Sequence, residues 1–336
     1  MKQIIIGIHG LGNKPEKSVL QNWWLKSIKE GLDRINKERT KIPFELAYWA
    51  DIIYPKPYNL KIKDKDNPLY LDEVYKKGKF KQKNNQSSIK TKIIKYIEEQ
   101  LDKVFLNDDL SINFKNVTDK LMHHYFSELE TYYNDDCKSG VNPDCNVKNE
   151  IQNRLKTIFD KYKGYQILLI GHSMGSIVAF DVLSDITSVQ PIDTFVTIGS
   201  PLGVPVIVSK IFAEQKKRNS KLKKPVAPDN ISEAWYNLSD IEDKVALDHT
   251  LNDDFSENKY KVSAKDQIVI NDYEINGEEN HHKSFGYLRT PEMANIINSF
   301  LISKKSDSVY QSFKVITDKI KIGLENMINI FARREK

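Results

Sequence analysis

Residues 171–175 read Gly-His-Ser-Met-Gly; they follow the apolar run Ile167–Ile170 and open a helical pattern from Ser176 to Leu183. A turn from strand into helix is tight enough to exclude bulky flanking side chains, which is why glycines bracket a serine held out of a sheet as a nucleophile. A helix starting there also aims free backbone N–H groups at a developing oxyanion. The chemistry that suits Ser173 is acyl transfer, with its oxygen attacking a carbonyl carbon.

A second glycine-rich segment, His9-Gly10-Leu11-Gly12, ends the first apolar run. A tetrahedral intermediate needs two backbone donors, one just after the nucleophile and one on a neighbouring strand end. Met174 and Leu11 are the residues placed to supply those N–H groups. Nucleotide readings of the same segment fail on its residues. A phosphate loop needs lysine directly after its second glycine, whereas Gly12 is followed by Asn13, and the third glycine of a dinucleotide fingerprint is replaced by Pro15.

The nucleophile also needs a base, and the base an orienting acid. His172 belongs to the elbow, and His249 has neither a helix nor a terminal strand beside it. The pair in Asn280-His281-His282-Lys283-Ser284-Phe285-Gly286-Tyr287 sits in a loop before the final helix, and of the two His282 is favoured over His281. The segment Trp235–Ala246 offers Asp240, Glu242 and Asp243 as the acid, and the residues alone leave all three open.

These groups need a frame to hold them. Ile4–Ile8, Phe44–Trp49, Ile167–Ile170 and Phe195–Ile198 are nearly continuous apolar runs, with Ala234–Leu238 and Ile268–Ile270 as weaker ones. Such runs, alternating with helical patterns, predict the α/β class: a buried, mostly parallel sheet flanked by helices. Glu150–Tyr162 and Pro291–Ile302 are expected helices. The alternation breaks over 55–147, a lysine-rich insertion. There the spacings Ile93–Phe105 and Phe114–Leu129 predict two amphipathic helices forming a cap, with His123 and His124 in packed or exposed roles. The hydrolytic frame is expected over 1–302. Beyond it, over 303–336, an apolar stripe from Val309 to Phe331 predicts an amphipathic helix packed on the core, with peripheral membrane contact as its second reading.

Composition sets outer bounds. The chain has 336 residues, enough for a large core plus an insertion. Its 51 basic and 46 acidic residues nearly balance, so a net charge of +5 calls for no nucleic-acid partner. Cys137 and Cys145 form no zinc pattern and are expected as free thiols. No metal or cofactor is called for. The first apolar run is too short for a secretory leader, and no stretch approaches the ~20 apolar residues of a membrane span. The expected setting is cytoplasmic.

Taken together, IIIGIHGLGNKP, AYWAD, ILLIGHSMGSIVAFDVL, FVTIGSPLG, WYNLSDIEDKVA and NHHKSFGYL resemble the α/β-hydrolase superfamily, and within it bacterial lipase- and esterase-like serine hydrolases. The resemblance runs to about Tyr287 and leaves out the insertion and the C-terminal stripe. It implies the chain order serine, acid, histidine. It also places the acid near a Pro-Val-like pair, matched by Asp243-Lys244-Val245, and the histidine shortly before an aromatic residue and a Gly-Tyr, matched by His282. The early hairpin of larger members is expected to be absent. The implied function is hydrolysis of a small-molecule or lipid ester by Ser173, Asp243 and His282, with an amidase, a thioesterase or a non-catalytic membrane-associated binder as alternatives.

Overall fold

The computed structural model describes residues 2–79, 105–106, 112–113, 127, 129–133, 146–185 and 190–303. Within these, β1 (Gln3–Ile8) leads through α1 (Lys17–Arg34) to β2 (Phe44–Ala47) and the short α2 (Ala50–Ile53). Phe105–Leu106 and Ile112–Asn113, β3 and β4, pair as a small antiparallel ribbon. The chain continues through α3 (Val147–Lys161), β5 (Gln166–His172), α4 (Met174–Ser184), β6 (Ile192–Ile198), α5 (Pro205–Arg218) and β7 (Ile231–Ser239). Then come α6 (Leu251–Asp254), β8 (Ala264–Ile268), the hairpin β9 (Glu274–Ile275) and β10 (Glu278–Glu279), α7 (Ser284–Leu288) and α8 at 291–303.

Six strands form one sheet in the order β2-β1-β5-β6-β7-β8, with every neighbouring pair parallel. Alternation along the strands fills both faces. Ile4, Ile6, Ile8, Ile167 and Leu169 pack with Leu155, Ile177, Phe180 and Ile207 from α3, α4 and α5. Ile5, Leu168 and Ile170 pack on the other face with Trp24, Ile28, Leu288 and Ile297. Each fully buried side chain of this size contributes about 1.5–3 kcal/mol. Helices on both faces are what make the central strands read as unbroken apolar runs.

Several expected boundaries move. The run Phe44–Trp49 ends as a strand at Ala47, and Trp49 instead precedes α2 as its capping residue. The expected strand Ile268–Ile270 lies earlier, at Ala264–Ile268, on the sheet edge. Phe105, expected to end a helix, lies in a strand. Leu129, expected to close the second cap helix, is helical and buried in the core, whereas the remaining expected cap positions, His123, His124, both cysteines and the C-terminal stripe lie outside the described residues. Among the described residues, no helix is long and apolar enough to cross a membrane.

Because all six strands are parallel, their C-terminal ends share one edge. The chain passes from β1 to β2 on one side and later adds β5 on the other, so the strand order reverses between β1 and β5. In open parallel sheets the crevice for ligands opens at that reversal. The loop after β1 and the turn after β5 meet there.

Candidate active site

Ser173 occupies the turn between β5 and α4 with φ 52° and ψ −130°, a conformation that costs a non-glycine residue roughly 1–3 kcal/mol. The turn holds because its surroundings leave no slack. The Ser173 amide donates to the Ile198 carbonyl at 3.1 Å, and the Ser176 hydroxyl donates to the Ser173 carbonyl at 2.5 Å. A Cβ at Gly175 would lie 2.5 Å from the Ile8 carbonyl oxygen, so only glycine lets α4 start this close to β1. A Cβ at Gly10 would lie 2.7 Å from that of Ser173, so the loop after β1 runs directly against Ser173.

The structure joins three of the expected site residues in one hydrogen-bonded chain. Ser173 Oγ lies 2.9 Å from His282 Nε2, and His282 Nδ1 lies 2.9 Å from both carboxylate oxygens of Asp243. A carboxylate only accepts, so Nδ1 carries the proton and Nε2 is left to accept from the serine hydroxyl. Asp243 is fully buried and accepts further bonds from the Val245 amide at 2.8 Å and the Tyr287 hydroxyl at 2.7 Å. Burial alone would push its carboxyl up, but His282, Tyr287 and the Val245 amide together hold it below the ordinary carboxylate value.

The other candidates sit elsewhere. His281 does not reach Ser173; its ring faces Asp240, Glu242 and Glu279. Asp240 accepts from the Asn271 amide at 2.6 Å and the Glu242 amide at 2.9 Å, and so braces the loop that carries Asp243. His249 is half-buried in the loop before α6.

Leu11 and Met174 flank the serine. Met174 is the first residue of α4, so its amide is among those the helix leaves unpaired. Leu11 lies on the cavity wall. Its peptide plane is fixed by His9, a residue the sequence reading gave no role of its own. The Trp49 amide donates to His9 Nε2 at 3.0 Å, which puts the proton on Nδ1, and Nδ1 donates to the Gly10 carbonyl at 2.8 Å. Burial, with Lys14 nearby, drives the His9 pKa down to about 3, so the ring stays neutral. Lys14 gathers the next carbonyls: its ammonium binds those of Leu11, Gly12 (2.9 Å) and Asn13 (3.4 Å).

His172 and Asn271 also escaped the sequence reading as positioning groups. Asn271 Nδ2 donates to the carbonyls of His281 at 2.7 Å and Lys283 at 2.8 Å, on either side of His282. A lone asparagine carries no motif that would reveal this. Tyr287 did leave a signal, the Gly-Tyr that follows the histidine pair.

A cavity of about 270 Å³ opens over Ser173 and His282. Its lining includes the apolar Leu20, Trp23, Trp24 and Phe285 and the charged Lys14, Glu73 and Lys283. Glu73 binds the Lys283 ammonium and accepts from the Asn280 side chain at 2.6 Å, so residues 71–79 form a strap along the entrance. The strap is anchored to the core by Tyr273 on the Val74 carbonyl (2.8 Å), Arg289 on the Lys76 carbonyl (2.5 Å) and Glu30 on the Gly78 amide (2.7 Å).

A model of the family "Lipase (class 3)" matches residues 84–225, which include the Ser173 turn but not the loop after β1, Asp243 or His282. Among solved structures, an esterase of Pyrococcus furiosus matches at 18% identity, covering 35% of this chain and 52% of that one, with a TM-score of 0.20. The chain thus spans about half the length of that esterase. No curated protein matches the sequence. The fold itself is that of an α/β hydrolase: a parallel sheet flanked by helices, with a serine at the sharp turn after β5. The lipase-family match spans that same turn, so the chain resembles lipases there.

Proposed function

We propose that the protein is a serine hydrolase that cleaves carboxylic esters through an acyl-enzyme. The observation that carries this reading is the unbroken hydrogen-bonded chain from Ser173 Oγ through His282 to the buried Asp243. His282 Nε2 takes the serine proton as the oxygen attacks the ester carbonyl, and Asp243 holds the imidazole in that tautomer and steadies the cation that forms. The Leu11 and Met174 amides receive the oxyanion, each donor worth roughly 3–4 kcal/mol in comparable sites. His282 then protonates the leaving alcohol and, in the second half-reaction, draws a proton from the water that releases the acid.

The mixed apolar and charged lining supports an ester with both apolar and polar parts. A fluorophosphonate probe should label the wild-type chain and leave Ser173→Ala unlabelled, and p-nitrophenyl esters should be turned over by the wild type alone. Equal labelling of both chains would end the proposal.

A further inference from the structure

His281, adjacent in sequence to the proposed base, is embedded among carboxylates from two different loops. Its Nδ1 lies 3.5 Å from Asp240, and its Nε2 lies 3.3 Å from Glu242 and 3.3 Å from Glu279. A neutral imidazole has one N–H and one lone pair. With carboxylates facing both nitrogens, the neutral ring would set a lone pair against an anion, whereas the imidazolium is attracted on both sides at ion-pair distance, Nδ1 without a hydrogen bond of its own. The wider surroundings are also acidic. Asp72, Glu73 and Glu278 line the depression in front of the ring along with His282, and Lys244 is its lysine. Of these acids, Glu73 is already paired with Lys283.

Asp240 and Glu242 belong to the loop that carries Asp243, while Glu279 and His281 belong to the segment that carries His282. The two loops share further bonds. The Asp240 amide donates to the Tyr287 hydroxyl, which donates to Asp243, and the Asp240 carboxylate holds Asn271, whose side chain grips the carbonyls on both sides of His282. We propose that His281 is a positioning residue: as a cation it clamps the loop of the general base to the loop of the acid, and the Ser173–His282–Asp243 alignment loosens when that charge is lost. This inference rests on the serine-hydrolase reading above and adds an alkaline limit to it. Burial disfavours the charged ring, yet Asp240, Glu242 and Glu279 raise its pKa above the ordinary imidazole value, so the clamp outlasts an ordinary imidazolium as pH rises. The sign follows from that direction: the contact is present below the raised pKa and lost as pH rises through it.

The test is the rate of fluorophosphonate labelling of the full chain, followed from neutral to alkaline pH. Each pH unit by which the clamp raises the His281 pKa corresponds to about a tenfold preference for the aligned loops. Wild type should therefore label more slowly past that point, by a factor of about ten for each unit of that upward shift. His281→Gln should be slow already at neutral pH and show no alkaline fall, while His281→Lys should keep the neutral rate and lose it only at higher pH. Should His281→Gln fold poorly by circular dichroism, the pair Glu242→Gln and Glu279→Gln keeps the ring and should move the fall to lower pH. A His281→Gln profile that overlays wild type would overturn the clamp and leave the hydrolase reading standing, as would a folded His281→Lys that is as slow as the glutamine variant. A wild type that never labels would remove the hydrolase reading and take the clamp with it.

Discussion

The rings of His172 and His282 lie 4.9 Å apart, and His172 Nε2 sits 2.7 Å from the His282 backbone carbonyl. A carbonyl only accepts, so the proton is on His172 Nε2 and the ring serves as a donor. Burial, and then the neighbouring His282, push its pKa well below the ordinary value, which keeps it neutral. The residue before the nucleophile thereby holds the backbone of the proposed base.

His172→Ala should lower kcat by roughly 10²-fold, since a displacement of about 1 Å at a reacting group costs that much. KM should move little, because His172 acts on the base more than on bound substrate. Steady-state kinetics on a p-nitrophenyl ester would check the split.

Lys14 makes a related prediction for the oxyanion side. The Leu11 amide shares its planar peptide with the Gly10 carbonyl that His9 holds, and the Lys14 ammonium, gathering the Leu11, Gly12 and Asn13 carbonyls, braces the loop just behind it. Lys14→Met should reduce kcat about tenfold and weaken a phosphonate transition-state analogue by a similar factor, well under the 10²–10³ lost with a whole oxyanion donor. Unchanged analogue affinity would show that the loop holds its shape without the ammonium.

The fate of His9 sets an acid limit on stability. Its pKa falls from 6.5 to about 3 on folding. Between these values the unfolded chain binds a proton that the folded chain does not, so stability rises with pH across the window and drains away as pH falls. The loss amounts to about 1.4 kcal/mol per pH unit. His9→Gln should flatten this slope in urea melts taken between those pH values, at the expense of some stability at neutral pH.

Much of this architecture is legible in the residues, and the exceptions have physical causes. Strands covered on both faces, such as Ile4–Ile8 and Ile167–Ile170, announce themselves as apolar runs. The edge strand β8 does not, because Lys265, Asp266 and Gln267 lie inside it. Asp266 works there as a polar brace, accepting from the Asn237 side chain at 2.9 Å and from the Leu251 amide at 3.0 Å at the start of α6. At the site, the glycines around Ser173 mark the turn plainly. The choice between His281 and His282 is hidden from any local pattern, since two adjacent rings leave one loop toward different carboxylates. Asn271 and His9 act through backbone carbonyls, and a side chain that grips backbone leaves no matching partner in the sequence.

Arg289 offers a test of the strap. It is 1% exposed and donates to Asp272 at 2.6 Å while also holding the Lys76 carbonyl. Arg34 shares Asp272 at 2.7 Å and Glu30 at 3.1 Å, so removing Arg289 leaves the acids partly neutralised. Arg289→Met should destabilise the fold by about 3 kcal/mol, the lower end for a broken buried pair. Limited proteolysis should then cut within residues 71–79 faster than in wild type.

That strap has one more implication. Glu73 is bound at once to Lys283 and Asn280, and these two residues fall on either side of His281 and His282. The cavity wall at Glu73 and the proposed base therefore hang on the same short stretch of chain. Any load on Glu73 would thus be carried to the two residues that bracket His281 and His282.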